Sequence, residues 1–165
     1  MTIRDHAFKA FPESRKARYS IFDMASVLWP KVEAEKLRHV SSWIDLLDMP
    51  VGEMGPTGIG GLLTFMEADL AVSYLPAWLV LAYERPFPFA GLLPALVGAI
   101  DDKVERDEED QERFEAIRAD LSESQRESVA DALDQMADIH FRSQPDLKSR
   151  LERMANYWRS GAKPS

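Results

Sequence analysis

The apolar residues of this chain fall into one long run and a series of shorter, periodic segments. The long run extends from Leu62 to Glu84, and its second half, Pro76 to Tyr83, carries no charge. The other helical segments each combine apolar positions with a polar face. A helix that is apolar nearly all round is typical of the centre of a globular domain. The pattern therefore predicts a buried central helix over about residues 65–84, with the rest of the chain packed around it.

Outside this run, apolar residues recur at intervals of three and four along most of the chain, which is the spacing of helices. Ser41 and Ser42 interrupt one of the periodic segments, so that segment forms either two helices or one bent helix. No segment alternates apolar and polar residues over more than a few positions, as a strand would. The periodic or strongly apolar segments are 2–11, 19–29, 31–47, 89–100, 109–121, 122–140 and 145–158.

Several helix starts have local signals. Ser122 with Gln125 matches a capping box, in which each residue satisfies a backbone N–H of the other. Pro145 suits the first position of the last helix. We predict an all-α fold, a single domain over residues 1–160 with about six to seven helices, followed by a flexible tail at residues 161–165.

The central run contains two further features. Thr64 and Glu67 match a capping box, which predicts a helix start close to Thr64. Pro76 has no N–H for the carbonyl of Val72, so we expect a kink over residues 73–76. A proline in a helix interior costs about 3 kcal/mol unless the kink serves packing or a ligand. One hypothesis is therefore a small-ligand pocket beside the kink. Its candidate lining residues are Tyr74, Pro76, Trp78 and Tyr83.

The composition limits the number of domains, the cysteine chemistry and the cellular compartment that we expect. A chain of 165 residues is the size of one domain. It contains no cysteine, which excludes disulfides, thiolate chemistry and cysteine-ligated zinc and fits a reducing cytoplasm. The N-terminal residues lack the apolar core of a signal peptide, and the apolar runs are too interrupted for a membrane span of about 20 residues. We predict a cytoplasmic protein without a membrane segment.

The net charge of −8 is concentrated in one place, which we call the acidic segment, residues 101–115. This segment has nine acids and three bases. A net negative charge argues against nucleic acid and favours a basic partner protein. Two interpretations stay open: a solvated helix face, or a surface that steers a basic partner. The candidate contact residues are Asp101, Asp102, Glu105, Asp107, Glu108, Glu109, Asp110 and Glu112.

A glycine-rich stretch at residues 49–61 contains five glycines and two prolines. A phosphate-binding loop would need a lysine at its end and a strand before it, and this stretch has neither. It therefore predicts a connecting loop or a partner-facing loop.

Metal and catalytic motifs are weak throughout. Glu35 and His39 share a helix face but lack a third ligand, and His140 lies on an apolar seam. No serine, threonine or lysine stands in a recognisable nucleophile context with one of the three histidines. The sequence therefore predicts no metal and no cofactor, and it favours a protein that is not an enzyme, with an enzymatic domain as the minority interpretation.

Two short motifs resemble those of an uncharacterised bacterial family of small proteins, a domain of unknown function. The first is Tyr74-Leu75-Pro76-Ala77. The second is Leu121-Ser122-Glu123-Ser124-Gln125, which is similar to the family's Leu-Thr-x-x-Gln helix start with serine in place of threonine. The resemblance covers about residues 20–140 and implies a helical fold without assigned catalytic residues.

These observations favour one function and leave two alternatives. The preferred hypothesis is a protein-binding module of the immunity or antitoxin kind, which neutralises a basic partner protein, such as a cognate toxin, by occluding it. The alternatives are a ligand-binding or enzymatic helical domain with its pocket beside Pro76, and a homo-oligomeric structural module. The sequence leaves the partner and the oligomeric state open.

Overall fold

The computed structural model describes residues 1–12, 19–49, 66–85 and 108–161, without the side chains of residues 108–111 and 114. These ranges contain eight α-helices and no strand. The predicted all-α class and helical bundle are confirmed. The helices are α1 (Ile3–Ala10), α2 (Ile21–Leu28), α3 (Lys31–Glu35), α4 (Trp43–Leu47), α5 (Ala68–Glu84), α6 (Glu108–Asp120), α7 (Glu123–Ile139) and α8 (Pro145–Ser160).

Helix α5 is the centre of the bundle. Twelve of its seventeen residues are buried, including every residue from Tyr74 to Ala82. It packs against α1, α4, α6 and α7. An apolar surface on all sides allows a helix to be surrounded in this way, so the prediction of a buried central helix is confirmed.

The start of α5 differs from the prediction. Met66 and Glu67 are not helical, Glu67 is the N-cap, and its side chain makes no capping hydrogen bond. The expected capping box of Thr64 with Glu67 is therefore wrong, and Thr64 itself lies outside the described residues. Met66 is fully buried, and its carbonyl accepts a hydrogen bond of 2.7 Å from Nη1 of Arg113. The burial of Met66 and its hydrogen bond from Arg113 stabilise a non-helical conformation at this residue. Both involve parts of the chain distant in sequence, so a local motif could not predict them.

Pro76 lies inside α5, which continues through it from Ala68 to Glu84. The helix is therefore not broken at this proline. The missing N–H affects one backbone hydrogen bond, while burial of the surrounding turns keeps the helix in place.

Capping boxes begin four of the eight described helices. The predicted pair of Ser122 and Gln125 is confirmed at the start of α7. The other three use aspartate in place of Glu or Gln at the third helical position. One of them, Ser42 with Asp45, separates α4 from α3, so the segment 31–47 forms two helices.

Helices α7 and α8 form an antiparallel pair whose apolar stripes are buried, as their spacing predicts. Helix α8 ends at Ser160 and is capped by Gly161, which adopts a left-handed φ of 71°. Arg118 of α6 donates to the carbonyl of Tyr157 from Nε at 3.1 Å and to the carbonyl of Arg159 from Nη2 at 3.3 Å. A cation at this end of a helix satisfies its last carbonyls and suits the helix dipole. Residues 162–165 of the predicted tail lie outside the described residues.

Within the described ranges, no helix is long and apolar enough to cross a membrane.

Candidate protein-interaction surface

The residues predicted to line a pocket beside Pro76 lie on different sides of α5. Successive helical residues are about 100° apart, so Tyr74 and Trp78 share one side while Pro76 and Tyr83 share the other. Tyr74, Pro76 and Trp78 are buried, and Tyr83 is half-buried with its ring edge-on to His140 at 5.3 Å. The structure thus places these side chains in core packing. Neither of the two cavities at the described residues is lined by any of these four side chains. A ligand pocket here therefore stays a prediction.

Burial also affects the chemistry of Tyr74. Removal from solvent raises the pKa of its phenol above the ordinary value of 10.0, and a hydrogen bond from the backbone of Ile21 opposes the rise. The hydroxyl is therefore neutral at physiological pH. A neutral, buried phenol fits a structural role in joining α5 to α2.

Most of the acidic segment lies outside the described residues. Asp101, Asp102, Glu105 and Asp107 precede α6, and Glu108, Glu109 and Asp110 are described only as backbone within it. The predicted helix from Glu109 is confirmed, because α6 begins at Glu108. Glu112 is exposed. Whether this segment contacts a partner stays a prediction.

A second row of acids appears on α7. Glu123, Glu127, Asp131, Asp134 and Asp138 follow at intervals of three and four and so share one helix face. Much of this charge is balanced within the molecule. Arg159 of α8 forms ion pairs of 2.9, 2.8 and 2.7 Å with Glu127, Asp131 and Asp134, respectively. Lys148 pairs with Asp138 at 2.8 Å and lowers the pKa of its carboxyl.

The Arg159 cluster is a structural feature. Burial alone would lower the pKa of Arg159, but hydrogen bonds with its three carboxylates raise it further than burial lowers it. The guanidinium is therefore fixed in its charged form and joins α8 to α7. Acids that are used in this way are poor candidates for partner contacts. Among the described residues, no group of three or more metal-ligating side chains converges on one point.

Apolar side chains are exposed on and beside α2 and α3. Ile21 and Ala25 face the core, whereas Val27 on the outer side is 85% exposed. Four of the seven exposed large apolar residues in the described ranges lie between positions 19 and 32. Surface patches of this kind mark binding sites more often than single exposed residues do. We call Tyr19, Met24, Val27, Leu28 and Val32 the α2–α3 apolar surface.

A groove lies between α2 and the start of α5, next to this surface. Its cavity volume is about 360 Å³. Asp23 and Met24 precede Val27 by four and three positions, so both are its neighbours on the helix surface, and all three line the groove. Its described lining residues, which we call the α2–α5 groove, are Tyr19, Asp23, Met24, Val27, Glu67 and Leu70.

The α2–α5 groove combines an apolar lining with negative charge. Hydrogen bonds from the backbone and side chain of Ser20 lower the pKa of Asp23, so that its carboxylate is charged at neutral pH. Glu67 is exposed. In the described parts of the chain, no lysine or arginine forms an ion pair with either carboxylate. The groove therefore presents the negative charges of Asp23, which also completes the α2 capping box, and of Glu67 beside apolar side chains.

A second cavity of about 330 Å³ lies between α5, the end of α1 and the α6–α7 junction. Its polar side chains already have structural partners. Ser73 donates to the carbonyl of Asp69 at 2.8 Å, and Gln125 takes part in the α7 capping box. Unlike the α2–α5 groove, its described lining includes none of the exposed large apolar residues, so this cavity is the weaker candidate for a binding site.

Sequence reasoning identified segment 19–29 as helical but missed the α2–α5 groove, because periodicity alone does not show which side of an almost wholly apolar helix faces the core. A signal was present, since six of the eight residues of α2 are apolar, more than one buried face requires. The contribution of Glu67 had no such signal, because it comes from a helix start distant in the sequence.

The sequence matches no family model, no curated protein and no solved structure. The resemblance to a family of unknown function therefore stays a prediction that rests on two motifs. Both motifs have structural roles here: Tyr74 to Ala77 are buried in α5, and Ser122 with Gln125 caps α7.

Proposed function

We propose that the protein is a protein-binding module that neutralises a basic partner protein by occluding it, in the manner of an immunity protein or antitoxin. The observation that carries the proposal is the α2–α3 apolar surface, exposed on a chain with a net charge of −8. The apolar side chains would supply buried contact area, and the acids would select a positively charged partner.

The two kinds of surface suit different steps of association. Apolar and aromatic side chains at the centre of an interface provide most of the affinity. Charges outside that centre act mainly on the rate of encounter, by factors of about 10 to 1000 in strongly steered pairs. The acidic segment, with six more acids than bases, fits the second role. A small inhibitor that must capture its target quickly benefits from both.

The first test identifies the partner. The full-length chain, carrying an affinity tag, is used to capture proteins from an extract of its native cell at low salt. We expect a basic protein to be retained and its activity to fall when it is bound. Retention of no basic protein, or retention without any loss of its activity, would contradict the proposed function.

The second test addresses the acidic segment by measuring the association rate of the captured partner at low and at physiological salt. In the segment variant, four acids are neutralised by Asp107→Asn, Glu108→Gln, Glu109→Gln and Asp110→Asn. In the control variant, four exposed acids elsewhere are neutralised by Asp48→Asn, Glu123→Gln, Asp146→Asn and Glu152→Gln. The two variants have the same net charge, so any difference between them reports the position of the charge.

We expect the segment variant to associate about tenfold more slowly at low salt and with a weaker salt dependence than the control variant. Equal rates for the two variants would show that the acidic segment is a solvated surface and not a contact region.

A further inference from the structure

We propose that the α2–α5 groove binds a cationic, amphipathic segment of the partner, in which a large aliphatic side chain lies beside lysine or arginine. This inference rests on the proposed function and names the contact site within it. The groove is distinct from the acidic segment, so the two can be tested separately.

The apolar lining accounts for the aliphatic part of the occupant. Leu70 is buried at the base of the groove, Met24 is half-buried, and Val27 is almost fully exposed beside it. Covering Val27 would remove apolar surface from water, which stabilises the complex. The cavity volume of about 360 Å³ is near the lower end of ligand pockets, which begin at roughly 300 Å³. It therefore suits inserted side chains better than a large cofactor.

The two carboxylates account for the positive charge of the occupant. Asp23 comes from α2 and Glu67 from the start of α5, so both helices that form the groove contribute one acid. An arginine or lysine next to the inserted aliphatic side chain would pair with one of them. A charge-assisted hydrogen bond of this kind is roughly twice as strong as a neutral one.

The same chemistry disfavours other occupants. Phosphate groups and anionic lipid headgroups would be repelled by the carboxylates of Asp23 and Glu67. A metal ion needs at least three converging ligands, and the described lining residues supply only two carboxylates. An apolar segment without cations would partly cover the two carboxylates without supplying an opposite charge, which costs free energy.

Binding is tested with the full-length protein and a fluorescein-labelled amphipathic helical peptide built only from leucine and lysine. A second peptide, in which glutamate replaces every lysine, reports non-specific apolar binding. Fluorescence anisotropy gives the dissociation constants. We expect the lysine peptide to bind and the glutamate peptide to bind at least about tenfold more weakly.

Two pairs of variants locate the peptide. Val27→Asn removes an exposed aliphatic side chain at the end of α2, and its control, Ile139→Asn, does the same at the end of α7, where Ile139 is 59% exposed. Glu67→Lys reverses a charge at the start of α5, and its control, Glu123→Lys, reverses one at the start of α7. Circular dichroism of all four variants verifies that they are folded.

We expect Val27→Asn and Glu67→Lys each to weaken lysine-peptide binding by about tenfold, the usual scale for a central contact residue, and the two controls to leave it unchanged. No binding to the wild-type protein, or equal weakening by groove variants and controls, would overturn the proposal. Binding that is lost only in the segment variant, with neutralised residues 107–110, would also overturn it while leaving the proposed function intact. Conversely, a groove that binds the peptide in a protein that captures no partner would count against the function alone.

Discussion

At the scale of single residues, the ion pair of Arg4 with Glu84 shows how distant parts of the chain are joined. Nε and Nη2 of Arg4 donate to Oε1 and Oε2 of Glu84 at 2.9 and 2.8 Å, across 80 residues of sequence. A bidentate pair of this kind fixes orientation as well as distance. It holds α1 against the end of the central helix.

This pair predicts a change in the acid stability of the protein. Hydrogen bonds from Arg4 lower the pKa of Glu84 below its ordinary value of 4.5. The stabilisation from the ionised carboxylate is therefore present above about pH 4.5 and is lost as the pH falls through the lower folded-state value. Because both side chains are more than a third exposed to solvent, we expect Glu84→Gln to destabilise the protein by no more than about 1 kcal/mol at pH 7, and by less in acid.

Urea unfolding of wild type and Glu84→Gln over a series of pH values checks this prediction. Glu123→Gln is the control, because Glu123 is exposed in the first turn of α7. A difference between wild type and Glu84→Gln that stayed constant down to pH 3 would show that the Arg4 pair does not cause the pH dependence.

At the scale of elements, two effects oppose each other at Pro76. Proline is unfavourable inside a helix, but its ring is buried in the core of the bundle. Proline is disfavoured by about 3 kcal/mol relative to alanine in a helix interior. Its buried ring exceeds alanine by two methylene groups, worth about 0.8 kcal/mol each. Proline also restricts the unfolded chain, which stabilises the folded state by about 0.4 to 1 kcal/mol. The backbone penalty is thus slightly larger than the two gains together.

We therefore expect Pro76→Ala to stabilise the protein slightly, by up to about 1 kcal/mol. Chemical unfolding measures the difference, and Ala77→Gly is a control that weakens the same helix by about 1 kcal/mol through backbone freedom. A loss of 2 kcal/mol or more in Pro76→Ala would mean that the shape of α5 around the proline is required by its neighbours.

At the scale of the whole molecule, the net charge of −8 makes like-charge repulsion a general term in stability. Salt screens this repulsion, with a Debye length of about 10 Å at 0.1 M. Salt also weakens favourable pairs such as those of Arg159, but these pairs are close and partly shielded, whereas the excess acids are numerous and exposed. Repulsion should therefore prevail.

We expect Tm to rise by about 2 to 4 °C between 10 mM and 150 mM NaCl, which corresponds to about 1 kcal/mol for a domain of this size. The segment variant should show a smaller rise than the control variant of equal net charge, because it removes adjacent acids. Thermal unfolding by circular dichroism measures both. A fall in Tm with added salt would show that favourable ion pairs dominate.

The sequence by itself determined those features whose causes are local. The central helix, the all-α class, the cap at Ser122 and the start of α8 at Pro145 all follow from periodicity and from side chains within four residues of each other. The acidic segment is likewise a property of composition, so its charge was predictable while its contacts were not.

Only the tertiary structure decided the features that depend on residues far apart in the chain. The burial of Met66 with its bond from Arg113 moved the start of α5 to Ala68. The exposure of Val27 depended on which side of an almost wholly apolar helix met the core, and the α2–α5 groove required Glu67 to lie near Asp23. Hydrophobic periodicity indicates how much apolar surface a helix has. Packing determines which part of that surface remains exposed and can contact a partner.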